Sequence, residues 1–197
     1  MKKLILQMQM SVDGLVAASD TKRQWQLWDW GDSWVWDDEL KNDFNQAFVS
    51  VDTILLSRKM LEQGYLAHWA SAAARFPQSR HYAFARKVAE MNKVVITDKL
   101  REPPPGERIA IAAGGLVREV NALKRQSGQD MIAFGGAGFA GALACAGLVD
   151  EFQFFINPTV IGAGKSIFGN MPAGQTLSLL DSKRYACGIV VNRYAPS

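Results

Sequence analysis

Two glycine-rich segments carry the spacing most suggestive of chemistry. Phe134-Gly135-Gly136-Ala137-Gly138-Phe139-Ala140-Gly141 follows an apolar run, Met131 to Phe134, that reads as a buried strand, and it opens a run of small residues from Gly138 to Ala146 that reads as a helix. Backbone N–H groups in such a turn, with the helix dipole behind them, could hold a pyrophosphate. Gly136, Gly138 and Gly141 even satisfy the literal dinucleotide fingerprint. A Rossmann domain, however, places that turn after its first strand and an acidic residue about 20 residues later. Here the turn comes late and leads into Glu151 to Val160, where no acidic residue ends the strand. Tight helix–sheet packing by small residues is the alternative reading. The second segment, Thr159-Val160-Ile161-Gly162-Ala163-Gly164-Lys165-Ser166, ends like a Walker A loop but has Thr159 where the first glycine belongs. The residues after it, through Pro172, cannot sustain the helix that a P-loop needs, so it reads as a glycine-rich bend that borders a ligand at most.

Acid–base candidates are few. Asp13 lies in the turn signal Ser11-Val12-Asp13-Gly14, and Asp37-Asp38-Glu39 precede Leu40, Phe44, Ala47 and Phe48, which recur at helical spacing. Stabilisation of the helix N-terminus, worth about 0.3–1 kcal/mol per charge, explains that acidic cluster without catalysis. His68 and His81 have no cysteine or carboxylate at metal-ligand spacing, so no metal site is expected, and Ser11 lacks a nucleophile elbow. Five of the six tryptophans, Trp25, Trp28, Trp30, Trp34 and Trp36, fall in one short stretch.

The elements that must position these residues alternate through the first two-thirds of the chain. Leu4 to Met10 has period-two patterning, a helix follows from Asp38, and Thr53 to Leu56 reads as a buried strand. Helices are expected over Lys59 to Gln63 and Ser79 to Met91, then strands over Lys93 to Thr97 and Arg108 to Ala112. Leu116, Val120 and Leu123 mark a further helix. Three strands close the chain: Glu151 to Val160, Thr176 to Ser182 and Arg184 to Tyr194. This order implies an α/β fold with a mixed, mostly parallel sheet, flanking helices and antiparallel C-terminal strands. Pro103-Pro104-Pro105-Gly106 is too short to act as a linker between domains, so residues 1–197 are read as one domain.

Composition agrees. With 48% hydrophobic residues, 10% aromatics and 21% charged residues, the chain can build a sizeable core and is not disordered. A net charge of +3 with scattered basic residues leaves no footprint for nucleic acid or a membrane surface, and points to a small-molecule partner. Cys145 and Cys187, without CxxC spacing, read as small buried apolar residues in a reducing cytosol. The basic N-terminus meets Gln7 and Gln9 before any signal-peptide core develops, so a cytoplasmic protein is expected. The apolar Phe152 to Ile156 strand makes a homodimer the expected assembly.

Taken in order, these segments resemble the dihydrofolate-reductase-like superfamily, in the branch of the reductase domain of the bifunctional riboflavin-pathway deaminase-reductase. The carrying residues are Met10 to Gly14, Ile54 to Met60, Lys93 to Thr97, Phe134 to Gly138, Gly147 to Glu151 and Pro158 to Lys165. The resemblance implies a three-layer fold, with NADPH bound across the C-terminal strand ends. Hydride passes from the nicotinamide to a C=N or C=O carbon of a pterin or ribosylaminopyrimidine-like heterocycle. By the same resemblance, Ser11 to Gly14 form the loop over the nicotinamide. Ser57, Arg58, Lys59 and Met60, with Thr97 at a strand end, face the nucleotide. Gly135, Gly136, Ala137, Gly138 and Phe139 meet the pyrophosphate.

Asp13 and Asp38 are the candidate proton donors, although in the riboflavin-type branch water can serve. Trp30, Trp34 and Trp36 are candidates for a substrate-stacking wall, the alternative being aromatics folded over the sheet edge or into a dimer contact. Two departures matter. Ser57 stands where the family commonly has glycine, and Asp98 precedes Lys99 where a basic residue would meet the 2′-phosphate, which leaves NADH possible. The rival expectation is a non-catalytic nucleotide-binding or self-assembling module on the same fold.

Overall fold

The structure is a computed structural model, and it describes residues 1–19, 35–100, 102–103 and 109–197. Strand β1 (Leu4–Ser11) enters the middle of an eight-stranded sheet and is buried on both faces, as its Leu/Met/Ile content requires of a central parallel strand. A two-residue strand β2 (Ala17–Ala18) follows. The chain then runs through α1 (Asp38–Ala47), β3 (Val51–Leu56), α2 (Arg58–Glu62), α3 (Tyr65–Arg75), α4 (Ala83–Glu90), β4 (Asn92–Ile96) and β5 (Ile109–Ala112). It returns through α5 (Leu116–Lys124), β6 (Asp130–Ala133), α6 (Ala137–Cys145) and β7 (Glu151–Asn157), and ends with β8 (Gly164–Lys165), β9 (Leu177–Arg184) and β10 (Val190–Pro196).

The sheet order is β5-β4-β3-β6-β1-β7-β10-β9. Strands β5 to β7 in that order are parallel, and β10 pairs antiparallel with both β7 and β9. The chain moves outward from β1 to β5 and then comes back to β6 and β7. Right-handed crossovers taken in opposite directions put their helices on opposite faces of a sheet. Accordingly α1, α3 and α4 bury Leu40, Phe44, Tyr65, Trp69, Phe84 and Val88 in one core with Ile54, Val95 and Phe155. On the other face α5 and α6 bury Val120, Ala140 and Leu143 against Leu4, Leu6, Met131 and Phe152.

This is the mostly parallel α/β sheet with antiparallel C-terminal strands that the sequence predicts. Several bounds differ. Helix α3 lies beyond the Lys59 to Gln63 helix that the sequence suggests, and it buries Tyr65, Leu66, Trp69 and Ala72 at helical spacing. The long strand after Val149 stops at Asn157, before Pro158, whose missing N–H ends the ladder. Cys187 lies in the turn between β9 and β10, and both cysteines are half-buried. Strand β7, the expected dimer surface, is paired on both edges by β1 and β10 and buried along nearly its whole length, so it is not an interface. Among the described residues no helix is long and apolar enough to cross a membrane.

Candidate functional site

A cleft of about 710 Å³ lies where β1, β3 and β6 end. Open α/β sheets bind ligands at this end, where successive connections leave in opposite directions. One bank is the start of α2, contributing Ser57, Arg58, Lys59, Met60 and Gln63. A second is the turn from β6 into α6, contributing Phe134, Gly136, Ala137, Gly138 and Phe139. Met8 and Gln9 at the end of β1, with Val16, Ala17 and Lys165, complete it.

The glycine turn has this shape because glycine allows it. Gly135 and Gly136 take φ values of 115° and 66°, and a Cβ on Gly135 would sit 3.0 Å from the end of Met8. Gly136 is the N-cap of α6 and brings no capping side chain of its own to the start of that helix. The third glycine of the fingerprint does something else: a Cβ on Gly141 would meet the Ile167 carbonyl at 2.9 Å, so it serves close packing of α6. Ser57 stands opposite the turn as the N-cap of α2, its hydroxyl accepting from the Met60 N–H at 3.2 Å.

Charge in the cleft is one-sided. Arg58, Lys59 and Lys165 line it, and among the described residues no carboxylate does. Arg58 is paired with Glu62 one turn along α2. Lys165 arrives on a separate ribbon in which β2 and β8 pair antiparallel, Ala17 opposite Lys165. That ribbon is stapled by Asp13, whose carboxylate accepts from the backbone N–H groups of Ile161 (3.1 Å) and Gly162 (2.7 Å). The Ser11 hydroxyl and these two N–H groups hold the Asp13 carboxyl down at about 2.

Of the residues singled out in the sequence, the structure gathers Ser57, Arg58, Lys59, Met60, Gly136, Ala137, Gly138 and Phe139 into one cleft. Gly135 stands just behind its wall. Others lie elsewhere. Ser11 is fully buried and exchanges hydrogen bonds with the Leu15 backbone, and Gly14, at φ 78°, closes that turn. Thr97 does not line the cleft: its N–H extends the β4–β5 ladder to the Ala112 carbonyl, and its hydroxyl accepts from the Lys99 N–H.

Neither acid candidate reaches the cleft. Asp13 is a backbone clamp held ionised, which removes it as a proton donor. Asp38 is exposed in the first turn of α1, facing Lys41 at 3.8 Å and His81 at 3.5 Å. Asp37, beside it, is the true N-cap, accepting from Leu40 and also from the Cys187 N–H. Trp36 lies elsewhere as well. It is only 4% exposed, stacked on Phe155 at 5.4 Å and edge-on to Phe44 at 5.2 Å, so it belongs to the core and not to a cleft wall. Trp25, Trp28, Trp30 and Trp34 lie outside the described residues.

Met8, Gln9, Val16, Ala17 and Gln63 line the cleft without being site candidates in the sequence, and Lys165 enters from the segment expected to border a ligand at most. Lys165 had a signal, the incomplete Walker-like segment.

A doubly wound sheet with antiparallel terminal strands and an anion-friendly cleft at its C-terminal edge defines the dihydrofolate-reductase-like class. The RibD C-terminal domain family model matches residues 2–191, and the chain belongs to that family. It is 25% identical over 189 residues to the uncharacterized protein YyaP of Bacillus subtilis, covering 96% of this chain and 92% of that one. Its fold is similar to that of a Shewanella sp. PV-4 protein named for riboflavin biosynthesis, with a TM-score of 0.69, 19% identity and 99% of each chain covered. It is also similar to the Thermotoga maritima diaminohydroxyphosphoribosylaminopyrimidine deaminase/5-amino-6-(5-phosphoribosylamino)uracil reductase. There the TM-score is 0.66 and the identity 13%, and the match covers all of this chain but 57% of that protein.

Proposed function

We propose that the chain is an NADPH-dependent reductase that delivers hydride to a C=N or C=O carbon of a planar nitrogen heterocycle, of the ribosylaminopyrimidine or pterin kind. The observation that carries this reading is the cleft itself: a glycine turn at the start of a nine-residue helix and, among the described residues, three lining cations and no carboxylate. Phosphates need that combination of backbone donors and positive side chains. When bound, the nicotinamide would supply the hydride, while the protein contributes orientation and electrostatics. Gly136, Ala137 and Gly138 would hold the pyrophosphate. Lys59, the cleft cation on α2 that has no carboxylate partner among the described residues, would meet a further phosphate. The T. maritima relative's reductase name agrees with this chemistry.

The donor of the accompanying proton, on this reading, is water. Asp13 is committed to the 161–162 backbone and Asp38 is on the surface, so among the described residues neither candidate carboxylate lies where the substrate would sit. Asp98 is exposed and is not among the residues that line the cleft.

Titration with NADPH and NADH, followed by tryptophan fluorescence and calorimetry, tests the binding. Consumption of NADPH in the presence of 5-amino-6-(5-phosphoribosylamino)uracil or dihydrofolate tests the reaction. Saturable binding of NADPH with turnover of either heterocycle is the expected result. Binding with no turnover of any heterocycle would leave the chain a nucleotide-binding module, and no binding of either nucleotide would remove the reading altogether.

A further inference from the structure

Gln9 and Asn157 form a polar pair at the adjoining ends of β1 and β7, one step along the strands from a second buried amide pair, Gln7 and Gln153. Asn157 is 8% exposed, and its amide nitrogen faces three acceptors: the Phe155 carbonyl at 3.0 Å, the Met10 carbonyl at 3.4 Å and the Gln9 Oε1 at 2.9 Å. Backbone carbonyls only accept, so the two of them fix which end of the Asn157 amide points their way. Gln9 must then offer its oxygen to Asn157. Its own NH₂ group is turned away from that contact and has no acceptor among the described residues, and Gln9 is one of the residues that line the cleft. A half-buried amide whose flip is forbidden by its neighbour is a directional donor.

Resting on the reductase reading above, we infer that Gln9, oriented by Asn157, presents a fixed N–H donor to the cleft and selects ligands whose planar ring carries a hydrogen-bond acceptor at its edge. A carbonyl oxygen or an unprotonated ring nitrogen meets that requirement. Two sources share this chemistry, the carboxamide oxygen of a nicotinamide and a ring carbonyl or nitrogen of the heterocycle to be reduced. Asn157 acts only through Gln9 and is a positioning residue.

Gln9→Met keeps the length and removes the donor. Gln9→Glu still accepts from Asn157 but turns an acceptor and a negative charge into the cleft. Losing one such hydrogen bond is expected to weaken the ligand that uses it by about three- to tenfold in Gln9→Met, with a larger loss in Gln9→Glu, where the facing acceptors repel. If the heterocycle is the source, KM for 5-amino-6-(5-phosphoribosylamino)uracil or dihydrofolate rises while the NADPH dissociation constant holds. If the nicotinamide is the source, NADPH weakens while its fragment lacking nicotinamide, 2′-phospho-ADP-ribose, binds as before. Either pattern supports the inference.

Variants that match the wild type in every one of these constants overturn it, and leave the reductase reading intact. A wild-type protein that binds neither nucleotide overturns both. Asn157→Ala tests the positioning role: it should weaken the same ligand as Gln9→Met does, and the double variant should lose no more than Gln9→Met alone. Strictly additive losses, with melting temperatures unchanged, would assign Asn157 a separate role and overturn its coupling to Gln9.

Discussion

At the scale of single residues, the side chains that look most chemical in this sequence are largely structural. Asp13 sits in a turn that the family places over the nicotinamide, yet its carboxylate points at the 161–162 backbone. Its pKa lies at about 2, below the ordinary 3.8, so the folded state favours the ionised form. The stabilising contribution is therefore complete above about pH 4 and is lost as pH falls toward 2. Asp13→Asn is expected to remove that acid-side dependence, seen as a flatter dependence of melting temperature on pH between those limits. An NMR titration should show the Asp13 carboxyl protonating well below the ordinary carboxylate range. Trp36 gives the second residue-scale prediction. Trp36→Ala empties a buried site between Phe44 and Phe155 and is expected to cost about 3–5 kcal/mol, measured by denaturant unfolding.

At the scale of elements, the cleft depends on how two chain reversals are built. The β6–α6 turn needs two consecutive residues at positive φ. An alanine at position 136 would adopt a conformation that side chains avoid, so Gly136→Ala is expected to cost about 1–3 kcal/mol and to weaken NADPH binding, read by melting and by titration. The β2–β8 ribbon brings Lys165 to the cleft from a segment more than a hundred residues away from α2. Lys165→Met and Lys59→Met are each expected to weaken NADPH and to flatten the salt dependence of its affinity, because a charge contact has been removed from the cleft. Equal salt slopes in wild type and both variants would show that neither cation meets the nucleotide.

At the scale of the whole molecule, sheet order decides which strands have free edges. The homodimer expected from Phe152 to Ile156 cannot form there, since β7 is interior. The eight-residue edge strand β9 carries Leu179 and Leu180 at 58% and 51% exposure, and these are the apolar residues a second copy would have to cover. Light scattering should show a dimer that Leu179→Lys converts to monomer, and a monomeric wild type would end the expectation. Fold class was legible in the chain because period-two and period-3.6 patterning, with helices and strands in alternation, leaves few topologies that bury every apolar face. Two walls of the cleft were legible as well: Ser57 to Met60 and Gly136 to Phe139 are contiguous segments whose local conformation follows from glycine and capping chemistry. The rest is non-local. That Asp13 clamps Gly162, that Trp36 turns into the core, that Lys165 joins Lys59 and that Asn157 orients Gln9 all depend on contacts between segments far apart in sequence. Residue type and spacing determined which groups could bind phosphate; only the crossing of the chain through its sheet decided which of them face the same cleft.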